Sequence, residues 1–104
     1  MSKGIIYYTD NTVGEPIYTM VQDHILEAKL PVTSASLKPI DFGENEVVVG
    51  ERGYPTMVAQ IISCLKRSRA KYVFFCEHDV LYHQDHFTFD PPKDDIFYPL
   101  IKNL

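Results

Sequence analysis

The chain has 104 residues, of which 45% are hydrophobic, 12% aromatic and 23% charged, and its formal net charge is -4. This length suits one small domain, and this composition excludes a chain that is disordered over most of its length. The acidic balance argues against nucleic-acid binding, which needs a basic surface, and no apolar stretch is long enough to span a membrane.

The chain's two cysteines, Cys64 and Cys76, fit neither a disulfide framework nor a CxxC metal pair. The apolar run near the N-terminus is too short for a signal peptide. We therefore expect a cytoplasmic protein in which both thiols are free.

Strand and helix patterns alternate along the first half of the chain. The apolar, β-branched and aromatic run 4–9 predicts a strand that is covered on both faces. Helical spacing of apolar residues predicts a helix over 16–29, which ends before Pro31. The segment 32–38 predicts a second strand, and EVVVG at 46–50 predicts a third strand or an extended connection. The apolar face predicted for the helix comprises Ile17, Met20, Val21, His24, Ile25 and Leu26.

The second half contains the clearest helix and the strongest strand pattern. Pro55 opens the helix, and basic residues near Arg67 close it. The run YVFFCE at 72–77 then predicts a buried strand. Beyond it we expect a loop with an extended piece at 87–89, followed by an edge strand at 96–100. The apolar stripe predicted for the helix comprises Met57, Val58, Ile61, Ile62 and Leu65.

This order of elements, β-α-β-(β)-α-β-loop-β, predicts an α/β protein with a parallel-type sheet and right-handed crossovers. In such sheets ligands bind beyond the carboxyl ends of the strands. Three predicted strand ends carry polar or acidic groups, and this convergence indicates a binding site. The groups are Thr9-Asp10-Asn11, Pro39-Ile40-Asp41 and Glu77-His78-Asp79.

Glu77 and Asp79 flank His78 directly after the buried strand. If extended backbone continues through residue 79, both carboxylates point to one face, and Cys76 and His78 point to the other. The two Cα atoms then lie about 7 Å apart. The carboxylates could converge on one hard divalent cation, or one could bind the metal and the other a ribose hydroxyl. The alternative is that Asp79 caps a turn and Glu77 is simply solvated.

Histidines near this motif offer a rival interpretation. His78, His83 and His86, with Cys76 or Asp85, have the chemistry of a zinc site. However, the chain contains no paired CxxC or HExxH spacing, so a surface loop with incidental histidines is the alternative.

Three further residues have both a binding and a structural interpretation. Asp10 and Asn11 could hydrogen-bond a nucleobase or cap the following helix. Arg52 could clamp a phosphate or pair with its neighbour Glu51. The five glycines form no phosphate-cradling loop.

Four segments together resemble a glycosyltransferase-like family with the GT-A fold, in register along nearly the whole chain. They are GIIYYTDNTVGEPIY, SLKPIDFG, ERGYPTMVAQII and, most specifically, YVFFCEHDVLYHQDHFTFDPPKDDIFY. The resemblance implies a Rossmann-like three-layer sandwich that forms the nucleotide-binding half of a GT-A domain and binds a nucleotide-sugar.

The resemblance also implies roles for individual residues. In this family a DXD-type motif, represented here by Glu77-His78-Asp79, holds Mn²⁺ or Mg²⁺ and the diphosphate. Asp79 would be the firmer metal ligand, and Glu77 would help with the metal or the ribose. The match to the family also implies that residues after the first strand line the nucleotide pocket. With Asp41 from the second polar strand end and Arg52 as the candidate phosphate clamp, the predicted nucleotide-binding set is Thr9, Asp10, Asn11, Asp41, Arg52 and Glu77.

A whole GT-A domain is roughly twice as long as this chain. Its second half normally supplies the acceptor site and the catalytic base, so the resemblance assigns no catalytic residue to this chain and leaves its catalytic activity open. Two functions follow as expectations: metal-dependent binding of a nucleotide-sugar, or a non-catalytic, self-associating module that keeps the half-fold. An uncovered sheet edge would favour a homo-oligomer or a partner that completes the sheet.

Overall fold

The structure, a computed structural model, describes residues 3–78 and residue 87. Within them, four strands and two helices follow the order β-α-β-β-α-β, and every neighbouring pair of strands in the sheet is parallel. The predicted α/β class with a parallel sheet is therefore confirmed. The strands are β1 (Lys3–Tyr8), β2 (Val32–Ser36), β3 (Glu44–Val47) and β4 (Tyr72–Glu77), and the helices are α1 (Ile17–Leu26) and α2 (Tyr54–Arg67).

The two helices cover opposite faces of the sheet, which gives three layers. Ile5 and Tyr7 of β1 belong to the core cluster that contains residues of α1, whereas Ile6 between them packs with Cys64 of α2. Side chains of a strand point alternately to the two faces. The continuous apolar run in β1 is therefore explained by burial on both sides, as the sequence predicts.

The sheet has the strand order β3-β2-β1-β4. The chain leaves β1 through α1 to reach β2 on one side, whereas it leaves β3 through α2 to reach β4 on the other side of β1. The direction of strand addition therefore reverses between β1 and β4. Open α/β sheets bind ligands at this kind of position. The register aligns Tyr8 with Glu77, so the two strands end level with each other.

Helix α1 is shorter than predicted, and its buried face is narrower. It spans Ile17–Leu26, and Val21 and Ile25 are its buried residues. Three residues of its predicted apolar face, Ile17, Met20 and Leu26, are more than half exposed. The predicted face was too wide because α1 presents a single line of residues at i and i+4 to the sheet.

Helix α2 begins at Tyr54 with Pro55 in its first turn and ends at Arg67, as predicted. Its buried residues, however, are Gln60 and Cys64. Ile62 and Leu65 of the predicted stripe are 46% and 43% exposed. The helix is thus rotated relative to the prediction, and a polar residue occupies the centre of its buried line.

Strand β3 begins at Glu44, two residues before the predicted segment 46–50. Gly43, with φ of +62°, turns the chain directly before it. The Arg67 side chain at the end of α2 contacts carboxylate oxygens of Glu44 and Glu46, at 3.2 and 2.7 Å. This charged strand lies at an edge of the described sheet, where charges oppose pairing with other chains.

Both cysteines are free, as predicted, and both are buried. Burial, assisted by the nearby Glu46 carboxylate, raises the pKa of the Cys64 thiol to about 11. Burial also raises the pKa of the Cys76 thiol well above its ordinary value. Both side chains are therefore protonated packing groups at neutral pH rather than reactive thiolates.

Phe87 is helical and packs on Phe74, with the ring centroids 5.9 Å apart. The extended piece predicted at 87–89 is therefore wrong at its first residue. The rest of that piece and the strand predicted at 96–100 lie outside the described residues. In the part of the chain that the structure covers, no helix is long and apolar enough to cross a membrane.

Candidate functional site

A cleft of about 270 Å³ opens at the carboxyl ends of β1 and β4, where the strand order reverses. The first two turns of α2 form its other wall. Its volume is near the lower end of the range for small-molecule sites, about 300–1,000 Å³. The lining residues come from the two strand ends and from the start of α2: Tyr8, Asp10, Arg52, Gly53, Thr56, Met57, Gln60, Glu77 and His78.

Two side-chain hydrogen bonds join the ends of β1 and β4. The Tyr8 hydroxyl donates to Glu77 Oε1 at 3.1 Å. Thr9 Oγ1 and His78 Nδ1 are hydrogen-bonded at 2.5 Å. Glu77 and His78 both line the cleft. The alternation that would place them on opposite faces requires extended backbone through residue 79, and this condition is not met at His78. The reason is that β4 ends at Glu77 and His78 already lies in a turn.

Asp10 holds Arg52 at the cleft. Arg52 Nε donates to Asp10 Oδ2 at 3.2 Å, so Arg52 pairs with Asp10 rather than with its neighbour Glu51. Asp10 Oδ1 also accepts hydrogen bonds from the amide and the hydroxyl of Thr12. Partial burial by itself would raise the pKa of Asp10. The hydrogen bonds from Thr12 and Arg52 and the nearby His78 outweigh it, so the pKa is lowered and Asp10 is ionised.

Asn11 binds the end of β2 instead of capping α1. Its backbone has φ of +63°, a conformation that asparagine tolerates better than most residues. Its Oδ1 accepts from the amides of Leu37 and Lys38, at 2.8 and 3.0 Å, and its Nδ2 donates to the Lys38 carbonyl at 3.3 Å. Asn11 thereby fixes the loop that carries Asp10.

The structure brings together three of the predicted nucleotide-binding residues, Asp10, Arg52 and Glu77, in the cleft. Thr9 is buried behind them and contacts His78. Within the described residues, Asn11 and Asp41 are not part of the cleft lining, and Asp41 is exposed in the loop after β2. Asp79, the predicted metal ligand, lies outside the described residues.

Gln60, which is 3% exposed, is a cleft residue that was not predicted from the sequence. Its Nε2 donates to the Thr9 carbonyl at 3.0 Å, so it joins α2 to the end of β1. The sequence contained a signal for it, because Gln60 lies three residues after Met57 and four before Cys64, which places the three on one side of a helix. A polar residue at that position of an apolar helix face indicates a specific hydrogen bond.

The acidic side chains of the cleft differ from the ligand set of the zinc alternative. Two carboxylates, those of Asp10 and Glu77, line it, and Mg²⁺ or Mn²⁺ prefers oxygen ligands. Cys76, one ligand of the zinc alternative, is buried in the core cluster shared with α1 instead. Among residues 3–78 and 87, no group of three or more histidine, cysteine or acidic side chains is placed to hold a metal. His83, Asp85 and His86 lie outside that part of the chain.

Comparison with known proteins found no match to any family model, curated protein or solved structure.

Proposed function

We propose that this chain binds a nucleotide-sugar in the cleft through a divalent cation, as the donor-binding half of a GT-A-type glycosyltransferase. The position of the cleft carries the proposal. Charged side chains at or just beyond the carboxyl ends of β1 and β4 line one cleft where the strand order reverses, and parallel α/β sheets bind ligands at such positions. The resemblance of the sequence to the GT-A family supports the same ligand.

The start of α2 suits the diphosphate. Gly53 and Thr56 line the cleft, and no side chain of the described residues caps the helix. Free N–H groups at a helix N-terminus attract anions. Arg52 stands directly before this turn, and only its Nε is engaged within the described part of the chain. Its remaining N–H groups are donors suited to phosphate oxygens.

Glu77 and Asp79 would hold the Mn²⁺ or Mg²⁺ ion. When bound, such an ion neutralises the charge that develops on a diphosphate leaving group. The Tyr8 hydroxyl orients the Glu77 carboxylate by donating to Oε1. Asp10 keeps Arg52 beside the cleft. The positive charge of the Arg52 guanidinium is therefore in place before any ligand binds. These residues have binding and positioning roles, and we assign no catalytic base among them.

Thermal unfolding tests this proposal. Mn²⁺ and a nucleoside 5′-diphosphate together should raise the melting temperature, because a ligand that binds only the folded state stabilises it. At a ligand concentration of 100 times Kd the stabilisation is about 2.7 kcal/mol. Glu77→Gln should remove the increase. Glu27→Gln, which makes the same change at an exposed position at the end of α1, should preserve it.

The proposal fails if none of the common nucleoside diphosphates shifts the melting temperature of the wild type, with or without Mn²⁺. A stable oligomer in light scattering that is indifferent to metal and nucleotide would instead favour the non-catalytic module.

A further inference from the structure

We propose that Gln60 selects the ligand of the cleft by accepting a hydrogen bond from the nucleoside. This inference rests on the function proposed above and adds a specificity-determining residue to it. Gln60 lines the cleft although only 3% of the residue is exposed. It is thus a polar group built into the wall of the site rather than a surface side chain.

The hydrogen bond to Thr9 fixes the orientation of the Gln60 carboxamide. A backbone carbonyl can only accept a hydrogen bond, so the atom facing it at 3.0 Å is the amide nitrogen Nε2. This is the single hydrogen bond that the side chain makes within residues 3–78 and 87. The Oε1 acceptor therefore has no donor in that part of the protein, although buried polar atoms normally have one.

The position of Gln60 along α2 places it near a nucleoside rather than near phosphates. It lies seven residues beyond Gly53, which corresponds to about 10 Å along a helix. The proposed function assigns the diphosphate to the first turn, so Gln60 falls to the part of the ligand beyond the phosphates. Ionised phosphate oxygens only accept hydrogen bonds and cannot satisfy Oε1. Ribose hydroxyls and ring or exocyclic N–H groups of a base can.

A buried acceptor discriminates strongly between ligands. A ligand that donates to Oε1 satisfies it, whereas a ligand without the donor leaves it unpaired in a desolvated site. The difference in affinity should be roughly 5- to 140-fold. The donor could belong to the ribose or to the base, and these two sources are separable by chemical modification of the ligand.

The experiment uses calorimetric titration in the presence of Mn²⁺. The 5′-diphosphates of uridine, guanosine and adenosine are compared first. The tightest binder is then compared with its 2′,3′-dideoxy form and with the form methylated at its base N–H groups. Wild-type protein should lose roughly 5- to 140-fold in affinity for one of the two analogues. A loss with the dideoxy form identifies the ribose as the donor, and a loss with the methylated form identifies the base.

The variant Gln60→Met separates a role of Gln60 in ligand discrimination from its role in holding α2 against β1. Loss of the bond to Thr9 alone would weaken the parent ligand and its analogue equally, so the affinity ratio would not change. Loss of the acceptor should bring that ratio to within about twofold of one, because no buried acceptor is then left unpaired. Gln22→Met, the same change at a residue outside the described cleft lining, should keep the wild-type ratio. If Gln60→Met does not fold, Gln60→Glu provides the test, since it keeps an acceptor oxygen and should keep discrimination.

Equal affinity of the wild type for the parent and both analogues would overturn the inference while leaving the proposed function intact. An unchanged ratio in Gln60→Met, or a lost ratio in Gln60→Glu, would also overturn it. Failure of the wild type to bind any of the diphosphates would overturn the proposed function, and this inference with it.

Discussion

Asp10 connects its own loop to two other parts of the cleft. Its carboxylate accepts hydrogen bonds from Thr12 and Arg52, and Oδ1 lies 3.8 Å from His78 Nδ1. The sequence identifies Asp10 as a candidate binding residue because it follows a strand. It does not identify Arg52 as the partner of Asp10. Arg52 is 42 positions away, so the pair depends on how α2 is placed against the sheet. Local patterns contain no such information.

The lowered pKa of Asp10 predicts the pH dependence of the Asp10–Arg52 pair. A carboxyl group whose folded-state pKa lies below its unfolded value contributes stability above the unfolded value. That contribution is lost as the pH falls from 3.8, the ordinary value, through the lower folded value. Asp10→Asn should therefore lower the free energy of unfolding by at most about 1 kcal/mol at pH 7. The difference should shrink below pH 4 or so.

Urea unfolding of wild type and Asp10→Asn across this pH range measures the difference. A difference that stayed constant from pH 7 down to full protonation of the carboxyl groups would show that Asp10 stabilises the fold through something other than its charge.

At the scale of elements, the buried strands β1 and β4 are predictable because apolar and β-branched runs suit strands covered on both faces. The bounds of strand β3 are not predictable in this way, since two of its four residues are glutamates that bind Arg67 of α2. Helix α2 is located correctly from Pro55 and its basic end. The buried face of α2 is not predicted correctly, because the hydrogen bond from Gln60 to the Thr9 carbonyl allows a polar residue at the centre of that face.

Gly43 is the residue on which the start of β3 depends. Its φ is +62°, and a Cβ atom added there would lie 2.3 Å from the Val32 carbonyl oxygen. Gly43→Ala should therefore destabilise the protein by about 2 kcal/mol or more, from backbone strain and displacement of β2. Gly14→Ala is the matched control, because an added Cβ would meet nothing within 4 Å. Its effect should stay within about 0.5 kcal/mol.

Chemical denaturation of the two variants measures both effects. Equal stability of Gly43→Ala and Gly14→Ala would contradict the described geometry of the turn before β3.

At the scale of the whole molecule, the sequence predicts that strand ends will meet but not which ones. Strands β1 and β4 pair although 69 positions separate Tyr8 from Glu77. This pairing decides that Asp10 and Glu77 share a cleft, while Asp41 after β2 lies outside its described lining. The sequence predicts residues 9–11 as one group because they are adjacent after the same strand. Proximity in sequence does not show that Asn11 turns towards Lys38 while Asp10 turns towards Arg52.

The central claim is that the cleft between β1, β4 and the start of α2 binds a metal–nucleotide ligand. The most direct measurement is an amide NMR titration with Mg²⁺ and the nucleoside diphosphate that gives the largest thermal shift. We predict saturable shifts concentrated at the cleft residues Asp10, Arg52, Gly53, Gln60 and Glu77, with little change at Gly14 or Lys29. Absence of saturable shifts, or shifts centred on residues away from the cleft, would contradict the claim.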